Sequence, residues 1–341
     1  MDNIKEAFLY EKLEKNRVRC NLCFRRCLIK ENEYGFCGVR KNIDGKLYTT
    51  IYGVISSIAL DPIEKKPLFH FYPGSKTLSL GTWGCNLRCG HCQNWEISYE
   101  KYNEKLLSFS KLLTPENLVD IAKSYNSKGI SFTYNEPTIW FEYTLDVFKL
   151  AKENSLYTVY VTNGTITSEG LNIISPYLDA FRVDIKAFYD SSFKKITDVK
   201  GVNFILERAV EAKKLGMHVE VVTNVIPTVN DSIKEMEELA IWIKENLGPK
   251  TPWHITRFYP YQSFSHLMPT PIKTLEMIKD VGDRVGLNFV YIGNVYGHPF
   301  ENTFCPNCKS IVIKRGGFDI LEYNVINGRC KFCGFDLNIK E

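Results

Sequence analysis

The stretch GTWGCNLRCGHCQNW sets three cysteines, Cys85, Cys89 and Cys92, within eight residues. A closed tetrahedral metal site takes four ligands, and a disulfide framework takes an even number. The chain holds eleven cysteines, and the other eight form two groups of four: Cys20, Cys23, Cys27 and Cys37, then Cys305, Cys308, Cys330 and Cys333. The trio is therefore left by itself. An iron–sulfur cube takes four thiolates, so three leave one iron with an open coordination position. The same reasoning separates catalytic from structural zinc sites. The competing reading is zinc, completed by His91 or another histidine.

The C-terminal four form two CxxC knuckles about twenty residues apart. Between them, IVIKRGGFDILEYNVING is rich in β-branched and aromatic residues broken by glycine, which suits a hairpin. That is the pattern of a zinc ribbon or rubredoxin-like knuckle pair, and four thiolates favour zinc, with a single iron as the rival. The N-terminal four have gaps of two, three and nine residues. They suit zinc or an iron–sulfur cluster; zinc is favoured because no electron path is legible nearby.

The elements that must position these groups alternate. TLSLGTWG reads as a strand, and TPENLVDIAKSYNSKG as a helix with Thr114 as N-cap and Pro115 at its first position. Strand ISFTY, a helix over residues 138 to 154, strand YTVYVTN and helix TSEGLNIISPYL follow. Then come AFRVDIKAF, NFILERAVEAKKLG, HVEVVTNVI, SIKEMEELAIWIKENLG, WHITRFY, PIKTLEMIKDVGDRVG and NFVYIG, strand and helix by turns. Nearly continuous apolar strands separated by helices imply a parallel sheet covered by helices. Six or seven such units predict a partial (β/α) TIM-like barrel at residues 76–299, after an N-terminal four-cysteine segment and lead-in at 1–75 and before a zinc-ribbon-like module at 300–341. In barrels, chemistry sits on loops after the strands, and the trio follows the first strand.

With 341 residues, 44% of them hydrophobic and 24% charged, the chain is long enough for a main core with satellites. A net charge of +4 without a basic run argues against a nucleic-acid or membrane partner. The first twenty residues lack an apolar h-region, and no apolar run is long enough to span a bilayer, so a cytoplasmic location with reduced thiols is expected.

The CxxxCxxC spacing ahead of an α/β barrel resembles the signature of the radical S-adenosylmethionine (SAM) enzymes. The stretches DPIEKKPLFHFYPGSKTLSLGTWGCNLRCGHCQNW, TYNEPTIWFEYTLD, VTNG, VDIKAF, IPTVND, TPWHITRFYP, YIGNV and CPNC are together similar to the radical SAM member of the AmmeMemoRadiSam system. That group is related to the activating enzymes of pyruvate formate-lyase and other glycyl radical enzymes. The resemblance implies a [4Fe–4S] cluster on Cys85, Cys89 and Cys92, and SAM cleaved by one electron to a 5′-deoxyadenosyl radical that abstracts hydrogen.

Carried over residue by residue, the resemblance puts His91 beside the adenine and Asn135 and Glu136 of YNEP by the methionyl amino group. Asn135 stands where that motif has its second glycine. It puts Asp184 and Lys186 at the methionine end of the cofactor or the substrate backbone, with Asn163 as a further contact; Val161 replaces an aspartate of the related activases. From the residues alone, Asn-Glu-Pro reads equally as a helix cap, and Asp184 with Lys186 as a buried ion pair. On WHITRF, His254 or Arg257 is expected at the barrel mouth, His254 as a cofactor contact, and DPIEKKPLFH is expected to be a solvated loop.

Three functions follow. One is radical SAM chemistry on an undetermined substrate, possible partners including a protein, with an electron donor such as flavodoxin or ferredoxin. The second is activation of a glycyl radical enzyme. The third is a non-catalytic, metal-stabilised scaffold.

Overall fold

The computed structural model describes residues 3–341. Its centre is an eight-stranded sheet. The strands are β1 (Ser57–Pro62), β2 (Lys76–Gly81), β3 (Gly129–Phe132), β4 (Tyr157–Thr162), β5 (Ala180–Asp184), β6 (His218–Val225), β7 (Trp253–Arg257) and β8 (Val290–Gly293). Each lies beside its neighbour in sequence, so β1 and β8 are the edges. From β2 to β8 all pairings are parallel; β1 runs antiparallel to β2, Ser57 opposite Gly81. The sheet thus begins inside the segment expected to be only a lead-in.

The longer helices between the strands are α1 (Pro115–Ser124), α2 (Phe141–Glu153), α3 (Ser168–Ile174), α4 (Asp190–Thr197), α5 (Val202–Lys214), α6 (Ile233–Asn246) and α7 (Ile272–Val285). All six residues of β4 are buried, as a strand covered on both faces requires. Thr114 caps α1 as expected, its hydroxyl accepting from the Asn117 amide at 3.2 Å. The helix expected over residues 138 to 154 opens instead as a 3₁₀ turn, Pro137–Trp140, before α2.

The N-terminal segment forms two small antiparallel sheets. One is built from Tyr10–Leu13, Arg17–Cys20 and Leu28–Ile29, the other from Lys5–Glu6, Arg40–Ile43 and Lys46–Thr49. At the other end, Ile311–Gly316 and Asp319–Tyr323 make the expected hairpin. There the sulfurs of Cys305, Cys308, Cys330 and Cys333 lie within 4.8 Å of one another. Cys305 and Cys333 are 3.5 Å apart, and Cys308 and Cys330 3.7 Å. Tetrahedral bonds of about 2.3 Å to one ion demand sulfur separations of about 3.8 Å, so this group fits a single metal ion.

The segment DPIEKKPLFH is not a solvated loop. Asp61, Glu64, Lys66, Leu68, Phe69 and His70 are buried, since the chain runs against the sheet and meets the C-terminal module. Its charges are paired: the Lys66 ammonium donates to Asp61 at 2.6 Å, and Lys65 to the other Asp61 oxygen at 2.9 Å.

Candidate active site

The loop after β2 carries the trio, and its shape is held by side chains that satisfy its backbone. Arg88 donates to the carbonyls of Cys85 at 2.6 Å and Leu87 at 2.9 Å. Tyr99 donates to the Cys89 carbonyl at 2.9 Å, and the Cys92 amide donates to the same oxygen at 3.0 Å. The Asn135 amide donates to the Gly84 carbonyl at 2.7 Å and accepts from the Thr82 amide at 3.3 Å. Asn163 donates to the Asn86 side chain at 3.0 Å, and Asn86 to Thr165 at 2.7 Å. Asn135 and Asn163 therefore reach the site as staples of the cysteine loop.

Cys85, Cys89 and Cys92 are free thiols that line one cleft of about 510 Å³ at the C-terminal ends of the strands. Burial pushes all three thiols up, Cys89 to about 12, so each must release a proton to bind metal. Among the described residues the trio does not gather within 4.8 Å as the C-terminal four do. Three free thiols lining an open cleft, spread wider than ligands of one ion, fit a multi-iron cluster. His91 lines the cleft with its Nδ1 buried and unpartnered, and burial pushes its imidazole down to about 3, leaving it neutral.

Asp184 and Lys186 face the same cleft, where the ammonium donates to the carboxylate at 3.0 Å. Arg182, which the sequence reading missed, donates to the other Asp184 oxygen. The period of two that places Asp184 and Lys186 together was the available signal. Burial opposes ionisation of Asp184, but the two cations outweigh it and hold the carboxyl at about 2. Lys66, Asn224 and Thr256 complete the walls and were also missed.

Glu136 lines the cleft, and its carboxylate is already bonded within the fold. It accepts from the Thr138 amide at 3.0 Å as cap of the 3₁₀ turn, from the Thr162 hydroxyl at 2.7 Å, and from the Asn163 amide at 2.8 Å. His254 does not reach the cleft. It is buried deeper in the sheet interior, its Nε2 2.6 Å from Glu220, while Thr256, two residues on, takes the position at the mouth. Arg257 points elsewhere, donating to the Thr270 carbonyl at 2.9 Å.

No helix among the described residues is long and apolar enough to cross a membrane. The sequence model of a family described as the Radical SAM superfamily matches residues 81–242, from the end of β2 into α6. Over 338 residues the chain is 45% identical to an uncharacterized protein of Methanocaldococcus jannaschii, covering 98% of this chain and 99% of that one. It is 28% identical over 181 residues to the pyruvate formate-lyase-activating enzyme of Clostridium pasteurianum, covering 50% of this chain and 71% of the other. In structure it is similar to Streptococcus suis SuiB bound to S-adenosylmethionine, with a TM-score of 0.51 at 14% identity, over 72% of this chain and 56% of that one.

Proposed function

Because this chain is an enzyme of the radical SAM superfamily, we propose that Cys85, Cys89 and Cys92 hold a [4Fe–4S] cluster and that the cleft takes S-adenosylmethionine. When bound, that pair supplies a 5′-deoxyadenosyl radical, which takes hydrogen from the substrate. The observation that carries the reading is three free thiols, and not four, on a loop lining the one cleft where Asp184, Lys186 and His91 converge. In it, neutral His91 packs the adenine. Asp184, kept ionised by Arg182 and Lys186, receives the methionyl ammonium or a substrate amide. Glu136, Asn135 and Asn163 keep the cluster loop in place, and Glu136 Oε2 retains a lone pair for the same ammonium.

The chemistry belongs to residues 76–299 in this reading, with zinc on the C-terminal four cysteines and a flavodoxin or ferredoxin as cytoplasmic reductant. The fuller likeness to the AmmeMemoRadiSam member makes the companion proteins of that system the first substrates or partners to try. A second reading, activation of a glycyl radical enzyme, is favoured by one feature. Exposed Trp95, Tyr259 and Tyr296 flank the cleft-lining Asn94 and Asn294, as a surface for a protein substrate requires.

The test is anaerobic. The protein is reconstituted with iron and sulfide, given dithionite and SAM, and 5′-deoxyadenosine is measured against the variant Cys85→Ala, Cys89→Ala, Cys92→Ala. Product from the unaltered protein alone is expected. Equal traces from both, with the cluster shown to be intact in the unaltered protein and candidate companion proteins present, would end the proposal.

A further inference from the structure

We propose that Cys20, Cys23, Cys27 and Cys37 hold a second iron–sulfur cluster, in a cage that shares a wall with the catalytic loop. All four thiols are free and line a single void. Leu22, Ile29 and Ile139 make the rest of that wall largely apolar.

Spacing separates this cage from a zinc site. The C-terminal thiols close to the separations one ion requires, 3.5 and 3.7 Å, without any ion to draw them in. Among the described residues, no three of the N-terminal thiols come within 4.8 Å of one another. In this respect they match the trio and not the ribbon. Thiolates around a cube of four irons stand farther apart than those around one ion, because the cube itself lies between them.

A donor is also waiting. Arg40 lines the void and is 2% exposed; its two terminal nitrogens are spent on Glu142, at 2.8 and 2.9 Å. Its Nε is buried without a partner. A buried N–H left unpaired is costly, and a cluster sulfur in the void would accept from it, an interaction that tunes iron–sulfur potentials.

The cage abuts the catalytic loop at Gly84–Asn86. Gly84 adopts φ +85°, and a Cβ there would meet the Cys37 carbonyl oxygen at 2.5 Å. Asn86, the residue after Cys85, lines the void, and its carbonyl accepts from Arg25 Nε at 2.6 Å. Arg25 and Arg88 both lie over the Phe36 ring, 3.3 and 4.9 Å from its centre. The cage and the cysteine loop after β2 thus share a wall made by the fold.

The full chain carrying Cys85→Ala, Cys89→Ala and Cys92→Ala tests the proposal, because it removes the other cluster site and leaves the cage untouched. After anaerobic reconstitution with ferrous iron and sulfide in the presence of zinc, iron, zinc and acid-labile sulfide are counted, and the dithionite-reduced sample is examined by EPR. The expected result is about four irons and about four sulfides per chain with the signal of a reduced [4Fe–4S] cluster. Further addition of Cys23→Ser and Cys27→Ser should abolish both. An iron in the ribbon cannot mimic this, since a mononuclear site holds no sulfide. A folded trio variant without sulfide, carrying zinc in both four-cysteine groups, would overturn the proposal. The trio reading is judged separately, by whether the unaltered protein holds about four irons more than the trio variant.

Discussion

At the scale of single residues, the cleft is dominated by one carboxylate between two cations. Asp184 carries 28% side-chain exposure, and Arg182 and Lys186 only 9% and 13%, so their charges interact through little water. The unfolded chain has its aspartates near about 3.9, above the value of about 2 that the two cations impose. A lowered folded value means stabilisation that is complete above the unfolded value and is lost as pH falls toward 2. Its size is roughly 2–3 kcal/mol at pH 7. Asp184→Asn should therefore cost roughly 3 kcal/mol at pH 7, leaving two cations face to face. The deficit should narrow by roughly 1 kcal/mol at pH 3, as measured by urea unfolding. A deficit equal at both pH values would mean that the carboxylate's charge is not the source. Cysteine counts made the trio and both four-cysteine groups legible, because ligand number is a property of sequence. Whether Glu136 offers its oxygens to a ligand or to its own backbone was not, since one N-cap pattern serves both; only Thr162 and Asn163, brought in at the end of β4 and just after it, show that the fold uses most of them.

At the scale of elements, α2 joins the N-terminal segment to the sheet. Most of its residues are buried, and Glu142 in its first turn is fully buried against Arg40 in a two-pronged ion pair. Glu142 also accepts from the Phe8 amide at 3.1 Å, so one carboxylate anchors two separate N-terminal pieces. Removing one partner of such a pair strands the other charge. Glu142→Gln is expected to cost roughly 3–5 kcal/mol, read as a lowered midpoint in denaturant. The double change Arg40→Met, Glu142→Leu should recover most of that loss, since no charge is then left unpaired. If the double variant is as unstable as the single, packing and not charge is what Glu142 provides. Helices with a clear cap and apolar stripe were readable; α1 begins where Thr114 and Pro115 say it does. The antiparallel strand β1 was not, because the prolines and charges of DPIEKK mark a loop by composition, and only pairing with β2 reveals the last two residues of β1 in Asp61 and Pro62. Nor was α4: DSSFKKIT has one buried face, but Phe193 and Ile196 are its only apolar residues.

At the scale of the molecule, the C-terminal module is joined to the sheet by a shared interior. Phe69 from the segment after β1 and Phe289 and Tyr291 at β8 form one apolar cluster with Val312, Ile313 and Leu337 of the module. Polar contacts cross the same boundary. Arg315, wholly buried, donates to the Phe69 carbonyl at 3.0 Å; His70 bonds the Leu337 carbonyl at 2.9 Å through Nδ1 and Tyr291 at 2.6 Å through Nε2. On the sheet side, Glu220 accepts from the Phe69 and His70 amides at 3.1 and 2.8 Å. Melting the module would expose Tyr291, take the Leu337 carbonyl from buried His70 and the Arg315 donor from the Phe69 carbonyl, so module and sheet should unfold together. A metal held by Cys305, Cys308, Cys330 and Cys333 would therefore support the whole molecule and not a separate lobe. Cys308→Ser, at the exposed side of that site, is expected to lower a single cooperative thermal transition by on the order of 5 °C. Calorimetry distinguishes the alternative. If the variant shows a new low-temperature transition while the main one stays in place, the module is an independent unit, and the contacts through Arg315 and His70 contribute little to joining the two.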